Sequence, residues 1–108
     1  MAQIDVEVDW DSSTNQPTVS EDPIPVPTSN GATVIKWKAK KDSGITNIQI
    51  TGLDPDEFTD HSNNPGTEFK VTDQNSEAGT FSYTVTATHS SGLQGRHDPD
   101  IENGTGMP

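Results

Sequence analysis

Residues 79–88, Gly-Thr-Phe-Ser-Tyr-Thr-Val-Thr-Ala-Thr, constrain the fold more than any other stretch. Phe81, Tyr83, Val85 and Ala87 fall on one side of a period-2 ribbon, with Thr80, Ser82, Thr84, Thr86 and Thr88 on the other. This is the alternation of a strand with one dry and one wet face. Every other apolar run in the chain is shorter or interrupted, so a β core is centred here.

The rest of the chain supplies partners of the same kind. Ile4, Val6, Val8 and Trp10 share one face of residues 3–10, and Asp5, Glu7 and Asp9 the other. After turn chemistry at residues 11–17, Thr18-Val-Ser predicts a short return strand. Pro23-Ile-Pro-Val-Pro27 lacks amide donors at alternate positions, which suits only a sheet edge. Asn30-Gly31 carries a hairpin-turn signal. Residues 33–40 put Ile35, Trp37 and Ala39 on one face and Lys36, Lys38 and Lys40 on the other. Across the turn Lys41-Asp-Ser-Gly44, Ile45 to Thr51 is expected to return as the second arm of a hairpin, with Ile48 and Ile50 inward. Asp54-Pro-Asp-Glu57 reads as the start of a single helical turn, with Asp54 as cap and Glu57 three residues on. Asn63-Asn-Pro-Gly66 then breaks the chain. Phe69 and Val71 centre another short strand, and a last one passes through Asp98-Pro99. Residues 103–108 are expected to form a flexible tail.

Seven to eight short strands divided by turns, with almost no helix, predict an all-β antiparallel sandwich with Greek-key connections. The 108 residues predict one domain, residues 1–102, and only 27% are hydrophobic, so the core must be thin. Glu77-Ala-Gly-Thr-Phe-Ser-Tyr-Thr-Val-Thr-Ala resembles the penultimate strand of immunoglobulin-like domains. The resemblance implies that Phe81 stands where the family has an aromatic corner residue, Tyr83 where many members have a core cysteine, and Trp37 where they have the core tryptophan. Phe81 lacks the corner hydroxyl, and the cysteine pair is absent. Together with Asp98-Pro-Asp-Ile101, this strand also resembles small bacterial single-domain sandwiches described as immunoglobulin-like or cupredoxin-like. The resemblance spans roughly residues 19–102 and speaks to fold more than function.

Charge narrows the partners. Seventeen acids against six bases give a net charge of −11, which repels nucleic-acid phosphates and anionic lipid. A partner, if there is one, is expected to be a protein, and the chain itself a monomer. The first residues, Met-Ala-Gln-Ile-Asp-Val-Glu-Val, have neither the basic start nor the apolar run of a signal peptide. Cytoplasmic residence is therefore expected unless the chain is a processed mature form or a virion component.

Chemistry-bearing motifs are few. Type 1 copper needs a cysteine and there is none. His61, His89 and His97 offer a three-histidine set, weighed against ordinary exposed histidines. For calcium, Asp54, Asp56, Glu57 and Asp60 crowd one loop. Asp73, Asn75 and Glu77 have the i, i+2, i+4 spacing of the start of a calcium loop, without its glycine at the sixth position or its acid at the twelfth. Caps, turns and solvated charge explain the same residues. No nucleophile motif or phosphate-cradling glycine loop occurs. Trp10 and Trp37 read as core, with a carbohydrate-stacking pair as the alternative. Lys36, Lys38, Lys40 and Lys41 hold four of the six bases. Beside the Asp5, Glu7, Asp9 strand they would form cross-strand pairs; elsewhere they would make a basic stripe for an acidic partner. The sequence thus predicts a non-catalytic binding or structural module without a cofactor, and, as alternative, a calcium-dependent or carbohydrate-binding module.

Overall fold

The alternating segment 79–88 becomes one arm of a long hairpin, and that hairpin carries the back of the molecule. The computed structural model describes residues 2–63 and 66–105. Its strands are β1 (Ala2–Asp11), β2 (Gln16–Val19), β3 (Ile24–Pro27), β4 (Thr33–Ala39), β5 (Ile45–Thr51), β6 (Phe58–Ser62), β7 (Glu68–Asp73), β8 (Gly79–Ser82), β9 (Thr84–His89), β10 (Gln94–His97) and β11 (Asp100–Thr105), with a short 3-10 turn at Thr28–Asn30. The front sheet runs β2-β1-β4-β7-β6, and the back consists of two ladders, β10-β9-β5 and β3-β11-β8. The hairpin joins them. Its first arm, β8 and β9, is interrupted at Tyr83, and its second, β10 and β11, at Asp98 and Pro99. Tyr83 N–H donates to the Pro99 carbonyl at 3.1 Å across the break.

The all-β sandwich is as the periodicity predicts, with eleven strands among the described residues in place of seven or eight. The two breaks in the hairpin account for two of the additional strands and β6 for the third. Pairing is not purely antiparallel: β1–β4 and β3–β11 are parallel. The proline-studded β3 lies at a sheet edge, where missing amides cost least.

The expected β4–β5 hairpin is not formed. β4 is flanked on both sides by β1 and β7, and β5 pairs with β9 in the other layer. Asp42 and Gly44 both have left-handed φ, 65° and 79°, and turn the chain out of the front sheet. A side chain at Gly44 would lie 2.5 Å from His89 Nε2, so the crossing needs glycine there. Ile35 and Trp37 therefore face the β5 apolar residues across the core instead of beside them. Asn30-Gly31 likewise crosses between layers, from β3 to β4, and closes no hairpin.

The core draws Val6, Val8, Ile35, Trp37, Phe58, Phe69 and Val71 from the front and Ile24, Val26, Ile48, Ile50, Tyr83, Val85, Ala87 and Ile101 from the back. At its centre Trp37 and Tyr83 face each other, ring centroids 5.3 Å apart, and the indole N–H donates to the tyrosine hydroxyl at 3.1 Å. Burial raises the Tyr83 phenol pKa well above its ordinary value. The tail reading fails for residues 103–105: β11 continues to Thr105, and Asn103 is buried. Parity explains this, since a strand with Ile101 inward also turns Asn103 inward. Residues 106–108 of that tail, and Asn64-Pro65 of the predicted break, lie outside the described residues.

Candidate functional site

The charged side chains of β1 and β4 meet on the outer face of the front sheet. The parallel register sets Asp5 beside Lys36 and Glu7 beside Lys38, because both strands turn their apolar residues to the core. Lys40 Nζ lies 3.7 Å from Asp9 Oδ2. Lys36 Nζ reaches across to Glu68 of β7 at 3.0 Å, and that hydrogen bond, more than the charges of Lys36, Lys38 and Lys70, holds the Glu68 carboxyl below its ordinary pKa. The lysines are thus not an isolated basic stripe. Two of the three strand candidates, Lys36 and Lys40, are engaged by carboxylates. Among the described residues Lys38 and Lys41 have no carboxylate oxygen within 4.0 Å. Both line an open groove of about 500 Å³ together with Asp5, Glu7, Ser20 and Lys36. It is rimmed by acids along β1 and bases along β4.

The acidic loops are organised differently. Asp54 accepts the Glu57 and Phe58 amides on its carbonyl and the Asp56 amide on Oδ1 at 2.9 Å, so the capped turn forms. Glu57 does not reach back as a capping-box partner would. Its carboxylate is buried and accepts the Ser76 hydroxyl, the Ser76 amide at 3.1 Å, the Glu77 amide at 2.8 Å and Asn103 Nδ2 at 3.2 Å. Asp73, fully buried, accepts the Asn75 amide at 2.8 Å and Asn103 Nδ2 at 2.9 Å. Its Oδ2 has no partner. Burial, above all, pushes the Asp73 carboxyl pKa up, with the Glu57 charge adding to it and the two hydrogen bonds opposing.

The calcium candidates are dispersed by these bonds. Asp73 points into the core region, Asn75 gives its amide to the carbonyls of Pro27 and Gly31 at 2.9 and 3.0 Å, and Glu77 is exposed. Asp60 sits exposed on β6 with φ 56°. Asp54, Asp56, Glu57, Ser76 and Glu77 line a shallow cleft of about 190 Å³. Among the described residues no three histidine or acidic side chains come together as a metal-holding group.

The histidines have separate surroundings: His61 lies edge-on to Phe69, His89 stacks on Trp10 at 4.9 Å, and His97 lies 3.7 Å from Asp22. Trp37 is fully buried, which removes it from any carbohydrate-stacking pair. The Glu57–Asp73–Asn103 cluster is absent from the sequence reading, although the parity of β11 signals Asn103. The burial of Glu57, next to the core residue Phe58, has no such signal, because a loop carries no period. Among the described residues no helix is long and apolar enough to cross a membrane. No protein-family model and no curated protein matches the chain.

Proposed function

We propose that the chain is a non-catalytic binding module, an immunoglobulin-like sandwich that engages another protein through the outer face of its front sheet. The observation that carries this reading is the groove of about 500 Å³ lined by both signs of charge, in which Lys38 and Lys41 have no carboxylate within 4.0 Å among the described residues. Rows of unlike charge give orientation and partner choice, and an open groove on a flat sheet suits a protein segment better than an enclosed small molecule. Of the acids in the candidate calcium loops, Glu57 and Asp73 accept hydrogen bonds from within the fold, from the Glu77 amide and from Asn103.

The test is photo-crosslinking from a residue at the groove rim, comparing the wild-type chain with Lys38→Glu/Lys41→Glu. A partner recovered by the wild type and lost from the double variant supports the groove. A partner recovered equally by both, with and without calcium, overturns it.

A further inference from the structure

The open edge of β1 runs along the same groove. β2 pairs with β1 only over Val8–Asp11, and Ser20 ends that ladder by donating its amide to the Glu7 carbonyl and accepting the Glu7 amide on Oγ, both at 2.9 Å. The chain then leaves for β3 in the back layer. On its other side β1 is paired with β4 from Ala2 to Val8. Backbone groups alternate sides along a strand. Glu7 bonds toward β2, and Val8 accepts the Lys40 amide on the β4 side. Gln3 and Asp5, in phase with Glu7, therefore turn N–H and C=O toward the side on which, among the described residues, no strand pairs with them. Three other sheet edges carry blocks: Pro25 and Pro27 in β3 with Pro23 just before it, the Asn63 side chain and Gly66 carbonyl on Ile48 of β5, and a register shift in β6. β2 and β10 close against each other, since a side chain on Gly95 would run into the backbone of Asn15 and Gln16.

We propose that residues 2–6 of β1 accept an extended, lysine- or arginine-bearing segment of a partner protein as an added strand. This rests on the protein-binding reading above. The chemistry of the occupant is read from β4, which satisfies the other side of β1. Lys36 and Lys38 stand beside Asp5 and Glu7 on the outer face, while Ile35 and Trp37 stand beside Ile4 and Val6 on the inner one. An added strand meets the same two rows, so it needs bases outward and apolar residues inward, where half-buried Ile4 awaits cover. Main-chain bonds supply affinity and the alternating side chains supply selection. A second copy offering its own β1 sets acids beside acids between chains of −11 each, which like-charge pairing disfavours.

The probe is a labelled peptide, acetyl-Val-Lys-Ile-Lys-Val-Lys-amide, titrated by anisotropy against the full chain, beside a block-ordered peptide of equal composition and one with glutamate for lysine. The alternating peptide is expected to bind about tenfold tighter than the block-ordered one, and the glutamate peptide not at all. Gln3→Pro removes an amide on the open side while leaving Asp5 and Glu7 in place, and should abolish the preference in a chain that still folds. Hydrogen exchange on the wild type needs no variant: the Gln3 and Asp5 amides should exchange freely without peptide and slowly with it, with Ile4 and Val6 slow in both. Equal binding of alternating and block-ordered peptides, or Gln3 and Asp5 amides that stay fast with peptide bound, overturns the added strand. The groove is judged separately by Lys38→Glu/Lys41→Glu. Protection of Gln3 and Asp5 in a peptide-free dimer overturns the basic partner in favour of a second copy.

Discussion

Asn103 Nδ2 lies 2.9 Å from Asp73 Oδ1, so the last strand of the back layer donates to a buried carboxylate at the end of a front-layer strand. The same amide nitrogen reaches Glu57 at 3.2 Å. One neutral donor is thus shared between two buried acids, beside the Ser76 and Glu77 amides on Glu57 and the Asn75 amide on Asp73.

Removing that donor should be costly. Asn103→Ala leaves Asp73 and Glu57 each short of a hydrogen bond in a buried setting, a loss of roughly 1–3 kcal/mol or more. Urea unfolding followed by tryptophan fluorescence reads it, and a loss below about 0.5 kcal/mol would show that water replaces the amide.

Asp73 gives a pH dependence with a definite sign. Its folded pKa lies above the ordinary value of 3.8, so the native protein holds a proton over a range in which the unfolded chain has released it. The contribution of Asp73 is thus complete below pH 3.8 and lost as pH rises through the folded pKa. Asp73→Asn should raise the melting midpoint at pH 7 relative to wild type and give no such gain at pH 3.5. A variant less stable at pH 7 would mean that the carboxylate is well solvated there.

The Trp37–Tyr83 pair predicts two separable losses. Trp37→Ala should cost roughly 3–5 kcal/mol as a large-to-small core change, whereas Tyr83→Phe strands the buried indole N–H for about 1–3 kcal/mol. Tyr83 is the one tyrosine in the chain, so its ultraviolet titration is free of overlap. Because the folded phenol titrates above the ordinary value of 10.0, the unfolded chain loses its proton first and stability falls as pH climbs past about 10. Tyrosinate absorbance should appear together with loss of far-ultraviolet β signal; tyrosinate in a still-folded chain would contradict the burial.

Salt should stabilise the fold. At −11 the folded state concentrates like charges that unfolding spreads apart, and screening relieves the repulsion. Two exposed or half-exposed ion pairs, Lys36–Glu68 and Lys40–Asp9, are weakened at the same time, but exposed pairs contribute little. Melting midpoints should rise with sodium chloride and rise alike with magnesium and calcium chloride at matched ionic strength. A large rise with micromolar calcium alone would mark Asp54, Asp56, Asp60, Asp73, Asn75 and Glu77 for mutation.

What was legible in the chain was each strand's inward face. Alternation in residues 3–10, 33–40 and 79–88 assigns Val6, Trp37 and Tyr83 to the core, where they lie. Pairing was not legible, because a period-2 pattern says which side of a sheet a residue occupies and nothing about its neighbour. The Lys41–Gly44 turn looks like a hairpin turn locally, and only the occupation of both β4 edges by distant strands sends β5 to the other layer. The lysine row had the same ambiguity, resolved once β1 lay beside β4. Asn75 and Glu77 suggested ligands by spacing, yet their amides and those of neighbouring loop residues bind carboxylates already inside the protein.

The parallel pairing of β3 with β11 joins residues near 25 to residues near 102, so this ladder closes only across most of the chain's length. Such pairings give a high contact order and slow folding. The long hairpin of β8 to β11, closed by a short local turn at Ser90–Gly92, is the inexpensive early element by comparison. Chains caught before β11 docks would expose Ile24 and Val26 and leave Glu57 and Asp73 without Asn103, so a refolding intermediate should bind hydrophobic dyes and lose them in one slow phase that Asn103→Ala lengthens.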